Sequence, residues 1–363
     1  MTEPQSPMVG IVRRVLLLLL AVTGPSLADG TGDDVALGVI LTLTGDGAER
    51  DAAIAHGYVA AAEHINAAGG IVIAGERRSI RLEFMDDRGS PRRAAALADV
   101  LVRWRGVTVF LGGGDPVLTQ AVAADVADVG FPVFDPLGVS PADTDGIVLS
   151  VVPRARDRLV AVLAGLSVGY TIAGQDTSRV AVSVAAGSAR TADTLAQAAA
   201  DLGFAVAGFA VDGHGAGNPG ILIYGPSLPA QPARDRLVVS LTCEAVSGDA
   251  GARMLCADHW PSLRDTATVP DWLAALDEAG TRDAALTLAA LSTAMSFGRS
   301  AHGPVIADVL HANELATPGG PVLLSDGANI AGGTAVFAVS DGIPVPFRAS
   351  DPLGDPLGLS GIE

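Results

Sequence analysis

The stretch TLTGDGAERDAAIAHGYVAAAEHINAAGGI, residues 42–71, decides the fold because it carries the pattern of a loop that opens into a helix. It follows the apolar run Val35–Leu41, which predicts a buried strand. Residues 51–68 place apolar side chains at helical spacing, and NAAGG (66–70) supplies the glycine signal that ends a helix. A strand, a loop and an amphipathic helix in this order are typical of an α/β protein.

The same alternation continues along the chain. Strands are predicted at 80–85, 107–111, 132–134, 180–184, 206–209, 221–224, 237–241, 322–324 and 334–339. Helices are predicted at 91–105, 115–129, 156–167 and 189–202, and over most of 271–312. Strands that alternate with helices of this length favour parallel sheets with right-handed crossovers.

Composition excludes several classes of partner. The 363 residues are long enough for two domains. Only 23 basic residues, all arginine, stand against 40 acidic residues, which gives a net charge of −17. Phosphate backbones and anionic lipid repel a chain this acidic. We therefore expect no nucleic-acid partner.

The N-terminus predicts export. Arg13 and Arg14 precede the apolar run Val15–Val22, and small residues follow up to Ala28. This is the pattern of a cleavable signal peptide over residues 1–28, and the apolar run is too short to span a bilayer. The chain is therefore expected in the periplasm.

Three segments carry a family resemblance. Residues 42–71 are joined by LEFMDDRGSPRRAAALADVLV (82–102) and VTVFLGGGDPVLTQAVAADVADVGFPVFDPLGVSP (107–141). In this order and spacing they resemble type I periplasmic solute-binding proteins of the branched-chain amino acid (Leu/Ile/Val) ABC transporter family. The chain is similar to a divergent member of that family.

The resemblance implies an α/β fold of two Rossmann-like lobes with parallel sheets, joined by hinge strands. Lobe 1 would take residues 29–152 and about 277–317, lobe 2 would take 153–276 and about 318–347, and a flexible tail would follow at 348–363. It also implies the substrate-binding component of an ABC importer, whose lobes close around a small polar organic solute and whose partner is an inner-membrane permease. A monomer that is not an enzyme and uses no cofactor is expected.

The first candidate ligand residues lie in two loops. Thr44 and Asp46 follow the first strand, and Gly113, Gly114 and Asp115 follow a later one. Free backbone N–H groups before a helix can bind a carboxylate. Asp115 could instead cap the helix, with proline next to it. In the family a serine hydroxyl binds the ligand carboxylate near this position, and an aspartate there would repel one.

The remaining candidates come mainly from the resemblance. Gly138 and Ser140 match a loop that offers a carbonyl and a hydroxyl, although a plain turn explains them nearly as well. Glu244 aligns with the acid that pairs with a ligand ammonium, and Ser227 lies in another ligand segment. For Arg190 an anion contact and a solvated helix start both stay open, as does an exposed loop position for Glu244.

Two pairs of side chains could suggest other chemistry. Asp86 and Asp87 are adjacent, but no histidine or third carboxylate is spaced to join them, so a structural role is favoured over a metal site or acid–base catalysis. Cys243 and Cys256 close a short loop, which predicts a disulfide in an oxidising compartment. No metal site is expected.

A second function stays open. The same fold could serve a periplasmic sensor or an accessory binding protein of a non-transport system. The weak resemblance of the second half motivates this alternative.

Overall fold

The computed structural model describes most of the chain after the predicted signal peptide. The described residues are 34–140, 147–172, 174, 176–185, 189–210, 221–224, 237–241, 243, 253–259, 270–276, 279–340 and 343–347. The predicted signal peptide (1–28) and flexible tail (348–363) lie outside them.

The chain divides into two compact units. Unit 1 comprises residues up to Pro136, Asp143–Val151 and Pro270–Gly327. Unit 2 comprises the three remaining segments, Leu137–Ala142, Val152–Val269 and residues from Ala328 onward. The loop that holds Gly138 and Ser140 belongs to unit 2. The lobe bounds expected from the sequence stay a prediction.

The elements of the first half alternate strand and helix. They are β1 (Val35–Leu41), α1 (Ala48–Ala67), β2 (Ile71–Ile73), β3 (Glu76–Arg78), β4 (Ile80–Asp86), α2 (Pro91–Arg105), β5 (Phe110–Leu111), α3 (Pro116–Val126), β6 (Val133–Phe134), β7 (Val148–Leu149) and α4 (Ala155–Ile172). Short 3₁₀ turns follow α3 at Ala127–Val129 and α4 at Thr177–Arg179.

The second half continues the alternation and ends in short strands. Its elements are β8 (Ala181–Ala185), α5 (Ala189–Asp201), β9 (Ala205–Ala210), β10 (Ile221–Tyr224), β11 (Leu237–Ser240), β12 (Arg253–Asp258), α6 (Asp271–Ala274), α7 (Ala279–Gly298), α8 (Gly303–Ala312), β13 (Leu315–Thr317), β14 (Gly320–Val322), β15 (Leu324–Ser325), β16 (Ala328–Asn329), β17 (Ala335–Ser340) and β18 (Ile343–Pro346).

Unit 1 is built on a five-stranded sheet in the order β4-β1-β5-β6-β7, and every neighbouring pair is parallel. β1 pairs with β4 along its whole length, from Val35 opposite Ile80 to Leu41 opposite Asp86. The predicted α/β class with parallel sheets is confirmed. Because the five strands of this sheet are parallel, their carboxyl ends all lie at one edge of it.

Small residues allow close packing in unit 1. Ala94 and Ala98 on α2 are fully buried and bring that helix close to Phe110 of the sheet. On α1, a Cβ at Gly57 would overlap the carbonyl oxygen of Thr281 on α7. The Thr281 hydroxyl also donates to the carbonyl of Ala53, at 2.9 Å. Glycine is therefore required where α1 crosses α7.

Unit 2 contains a seven-stranded sheet in the order β18-β17-β12-β11-β10-β8-β9. Its five strands from β12 to β9 are parallel, whereas β17 and β18 add to the β12 edge in antiparallel fashion. The sequence did not predict β18, and two further predictions for this unit were wrong. β12 was missed, because its apolar core is only a few residues long, and α4 runs to Ile172 rather than to 167, because Leu166 and Tyr170 are buried.

Candidate ligand-binding edge of unit 1

The carboxyl edge of the unit 1 sheet gathers the loops that follow β1, β4, β5 and β6. Thr44 and Asp46 lie in the loop after β1. Gly113, Gly114 and Asp115 lie in the loop after β5, the neighbouring strand. Ligands of open parallel sheets bind at such an edge. The candidate residues predicted for this unit therefore share one edge.

Asp51, in the first turn of α1, ties two of these loops together. Its Oδ2 accepts a hydrogen bond from the backbone N–H of Thr42, at 2.8 Å. Its Oδ1 accepts from the N–H of Gly114 at 3.1 Å and from Nε of Arg50 at 3.0 Å. The carboxylate is 1% exposed. A buried carboxylate with three donors is well satisfied and fixes the loops that it joins.

The glycines of the loop after β5 make room for these side chains. A Cβ at Gly113 would lie 2.6 Å from Oδ2 of Asp51, and a Cβ at Gly114 would overlap the guanidinium of Arg50. The loop is therefore glycine-rich because another part of the same chain approaches it closely.

Tyr58 on α1 holds the loop after β5 through a hydrogen bond. Its hydroxyl is buried and donates to the carbonyl of Gly112, at 3.0 Å. Burial raises the pKa of Tyr58 well above its usual value, and the negative charges of Asp135 and Asp51 raise it further. The phenol therefore stays protonated and remains a donor.

Asp86, at the end of β4, organises the loop after β1. One oxygen accepts from the N–H groups of Leu43 and Arg88, both at 3.0 Å, and the other accepts from the Thr44 hydroxyl at 2.7 Å. Burial alone raises the pKa of Asp86, but the hydrogen bonds from Thr44, Leu43 and Arg88 outweigh it and lower the pKa. Thr44 is thus held by Asp86.

Asp87 is buried next to Asp86 but has fewer partners. Its Oδ1 accepts from the Thr42 hydroxyl and from the N–H of Gly89, both at 2.8 Å. Its Oδ2 is buried without a hydrogen-bond partner. Burial raises the pKa of Asp87 despite the bonds from Thr42 and Gly89, and the neighbouring charges of Asp51 and Asp86 raise it further.

Asp115 caps helix α3. Its side chain accepts from the N–H of Val117 at 2.8 Å, its backbone is extended, and Pro116 opens the helix. This is the capping arrangement that the sequence left open beside a ligand contact. A direct contact between Asp115 and a ligand stays a prediction.

In unit 2, Gly138 and Ser140 precede helix α4. Gly138 has a φ of 64°, and a Cβ there would lie 2.8 Å from the carbonyl oxygen of Pro153. Its own carbonyl accepts from the N–H of Ala155, at 2.8 Å, and Ser140 is buried. The loop is therefore held tightly against the start of α4. Its role in ligand binding stays a prediction.

The sequence and the fold both match known proteins. A family model described as "Periplasmic binding protein" matches residues 34–221, which is more than half of the chain. The chain belongs to this family. It is a family of binding proteins rather than enzymes, and its members are periplasmic. A search of curated proteins finds no match to this sequence.

Solved structures share the fold at low sequence identity. A solute-binding protein of an ABC transporter from R. palustris, in complex with benzoate, is 16% identical, with a TM-score of 0.66 over 87% of this chain and 96% of that one. The leucine-binding protein LivK of Thermotoga maritima is also 16% identical, with a TM-score of 0.66 over 86% and 97%. LivJ of Streptococcus pneumoniae, in complex with isoleucine, is 13% identical, with a TM-score of 0.61 over 86% and 98%. These likenesses show two-lobed type I folds.

Three further candidates of this periplasmic binding protein have no described side chain. Arg190 lies in the first turn of α5, and nothing is described of its side chain. Ser227 and Glu244 lie outside the described residues. Cys243 and Cys256 are joined by a disulfide, and both pack against Phe337 of β17.

Arg158 on α4 is a buried cation that the sequence does not reveal. This residue is 1% exposed, and its guanidinium donates to the carbonyls of Leu137 at 2.6 Å and Leu241 at 2.9 Å. Its Nε is buried without a hydrogen-bond partner. An arginine in a helix with aliphatic neighbours gives no sequence signal of burial, because most such arginines face solvent.

Neither a metal-binding cluster nor a membrane-spanning helix is found in the described part of the chain. No group of three or more His, Cys, Asp or Glu side chains there is placed to hold a metal ion. No helix among the described residues is long and apolar enough to cross a membrane.

Proposed function

We propose that this protein is the substrate-binding component of an ABC importer and binds a small polar organic solute by closure of its two lobes. The observation that supports this most is the unit 1 edge, where Thr44, Asp46 and the glycine loop lie in the loops that follow two adjacent parallel strands. Ligand sites of open α/β sheets are built from such loops. The described structures of this fold include complexes with benzoate and with isoleucine.

The importer role implies a membrane partner. An inner-membrane ABC permease would receive the solute from this protein in the periplasm. The predicted signal peptide supports that location. The chain would act as a monomer, since each copy carries two lobes of its own.

Binding is tested by thermal unfolding of the mature chain, residues 29–363. The panel contains amino acids, amides, short-chain acids and alcohols, and it includes leucine and benzoate with their alcohol counterparts leucinol and benzyl alcohol. A solute at a thousandfold excess over Kd stabilises the native state by about 4 kcal/mol, which raises Tm by several degrees. Asp99→Asn, which changes one exposed charge on α2, serves as a control that keeps the edge intact.

The transport step needs a second measurement. Permease and ATPase subunits reconstituted in liposomes should hydrolyse ATP faster when the loaded protein is added. Solute binding without this stimulation would favour the alternative role as a sensor or accessory protein. A folded chain that no panel member stabilises would count against both.

A further inference from the structure

The donors at the unit 1 edge are occupied by carboxylates of the chain itself. Asp51 accepts hydrogen bonds from the backbone N–H groups of Thr42 and Gly114, and Asp86 accepts one from the N–H group of Leu43. Asp115 takes the N–H of Val117 at the start of α3. Backbone N–H groups in these loops and at a helix N-terminus are the groups that would otherwise bind an anion.

Asp51 also fills the space beside the glycine loop. Its Oδ2 lies where a Cβ on Gly113 would be only 2.6 Å away, and the side chain is almost fully buried. The cation in contact with it is Arg50, whose side chain is 40% exposed. A ligand carboxylate at this loop would compete with Asp51 for the Gly114 N–H.

A second buried carboxylate, Asp87, lies near Asp51, because both accept hydrogen bonds from Thr42. Asp87 is buried with one oxygen unpartnered, and Asp135 is also buried at the end of β6. Ionised carboxylates only accept hydrogen bonds. A solute that approaches this loop with hydroxyl, amide or ammonium groups would avoid competing with these carboxylates for donors.

We infer that Asp51 is a specificity-determining residue that occupies the carboxylate position of the glycine loop, so that the solute presents hydrogen-bond donors and no carboxylate to unit 1. This rests on the proposed function, because it narrows the class of solute that the same edge would bind.

The test compares matched solutes on wild-type and variant proteins. Calorimetric titrations of the mature chain use leucine against leucinol, and benzoate against benzyl alcohol, since each pair differs in one carboxylate. Asp51→Ala removes the internal carboxylate and frees the Gly114 N–H. We expect its affinity for leucine or benzoate to exceed that of the wild type by about tenfold or more, with no such gain for the alcohols.

Two further variants serve as controls, one for loss of the fold and one for a nonspecific effect of removing a charge. Asp51→Asn keeps the side-chain volume and an acceptor for Thr42, so it retains the fold if Asp51→Ala does not, and we expect about a threefold gain for the carboxylates. Asp99→Asn removes an exposed charge on α2 and is expected to match the wild type. Far-UV circular dichroism verifies that each variant is folded.

Two outcomes would overturn the inference. One is a wild-type protein that binds leucine or benzoate more tightly than the alcohol counterpart, which would leave the proposed solute binding intact. The other is a folded Asp51→Ala or Asp51→Asn protein whose carboxylate affinity equals that of the wild type. Solute binding as such would fail separately, if neither the wild type nor any variant responded to any solute of the panel.

Discussion

At the scale of single residues, the two adjacent aspartates that close β4 have opposite environments. Asp86 accepts three hydrogen bonds from Leu43, Thr44 and Arg88, and its pKa is lowered. Asp87 is buried with one unpartnered oxygen, and its pKa is raised. The sequence predicted a structural role for this pair but could not assign different roles to its two members, because hydrogen-bond partners 40 or more positions away decide them.

Asp86→Asn is expected to destabilise unit 1 by about 1–3 kcal/mol at pH 7, because hydrogen bonds to a charged acceptor are lost. The pKa of Asp86 is lower in the folded state than in the unfolded state. Ionised Asp86 therefore stabilises the folded state at pH values above the unfolded-state pKa of about 3.9. That contribution is lost as the pH falls through the lower native pKa. Thermal unfolding between pH 7 and pH 3 should therefore show a difference from wild type that shrinks on acidification.

Asp87→Asn is the matched comparison at the next position. Because the native pKa of Asp87 is raised, its ionised form costs stability as the pH rises above the unfolded value. The Tm of Asp87→Asn at neutral pH should therefore equal or exceed that of the wild type. A loss as large as that of Asp86→Asn would contradict the difference between the two sites.

At the scale of elements, the sequence predicted most helices and strands to within a few residues. The glycine and proline signals that bound α1, α2 and α3 are local, so they can be recognised without a structure. β12 and the antiparallel addition of β17 and β18 were missed, since strand pairing depends on partners distant in sequence. The sequence did not predict the role of Asp51 for the same reason, because its hydrogen-bond partner Gly114 lies 63 positions away.

Gly57→Ala is expected to destabilise the contact between α1 and α7. The added methyl group would overlap the Thr281 carbonyl and force the two helices apart, which typically costs about 1–3 kcal/mol. Urea unfolding at neutral pH measures the loss. Gly333→Ala, at an exposed position with open space around it, is the control and should unfold like the wild type. An unchanged Gly57→Ala protein would contradict the close approach.

At the scale of the whole molecule, the family and the α/β class could be predicted from three segments in the first half of the chain. The ligand could not, because candidates such as Glu244 and Ser227 fall where the resemblance is weakest. The edge of unit 1 adds a constraint that the motifs alone did not contain. Its glycine loop has the donors of an anion site, and the chain's own carboxylates use them.

Solute binding is tested most directly without guessing the ligand. The mature protein is unfolded, dialysed, refolded and incubated with a filtrate of metabolites below about 1 kDa, a size range that covers the small ligands such clefts bury. It is then measured by native mass spectrometry. We predict one small adduct per chain, released on denaturation. A refolded chain that acquires no adduct, and whose Tm is unchanged by the same filtrate, would contradict its role as a solute-binding protein.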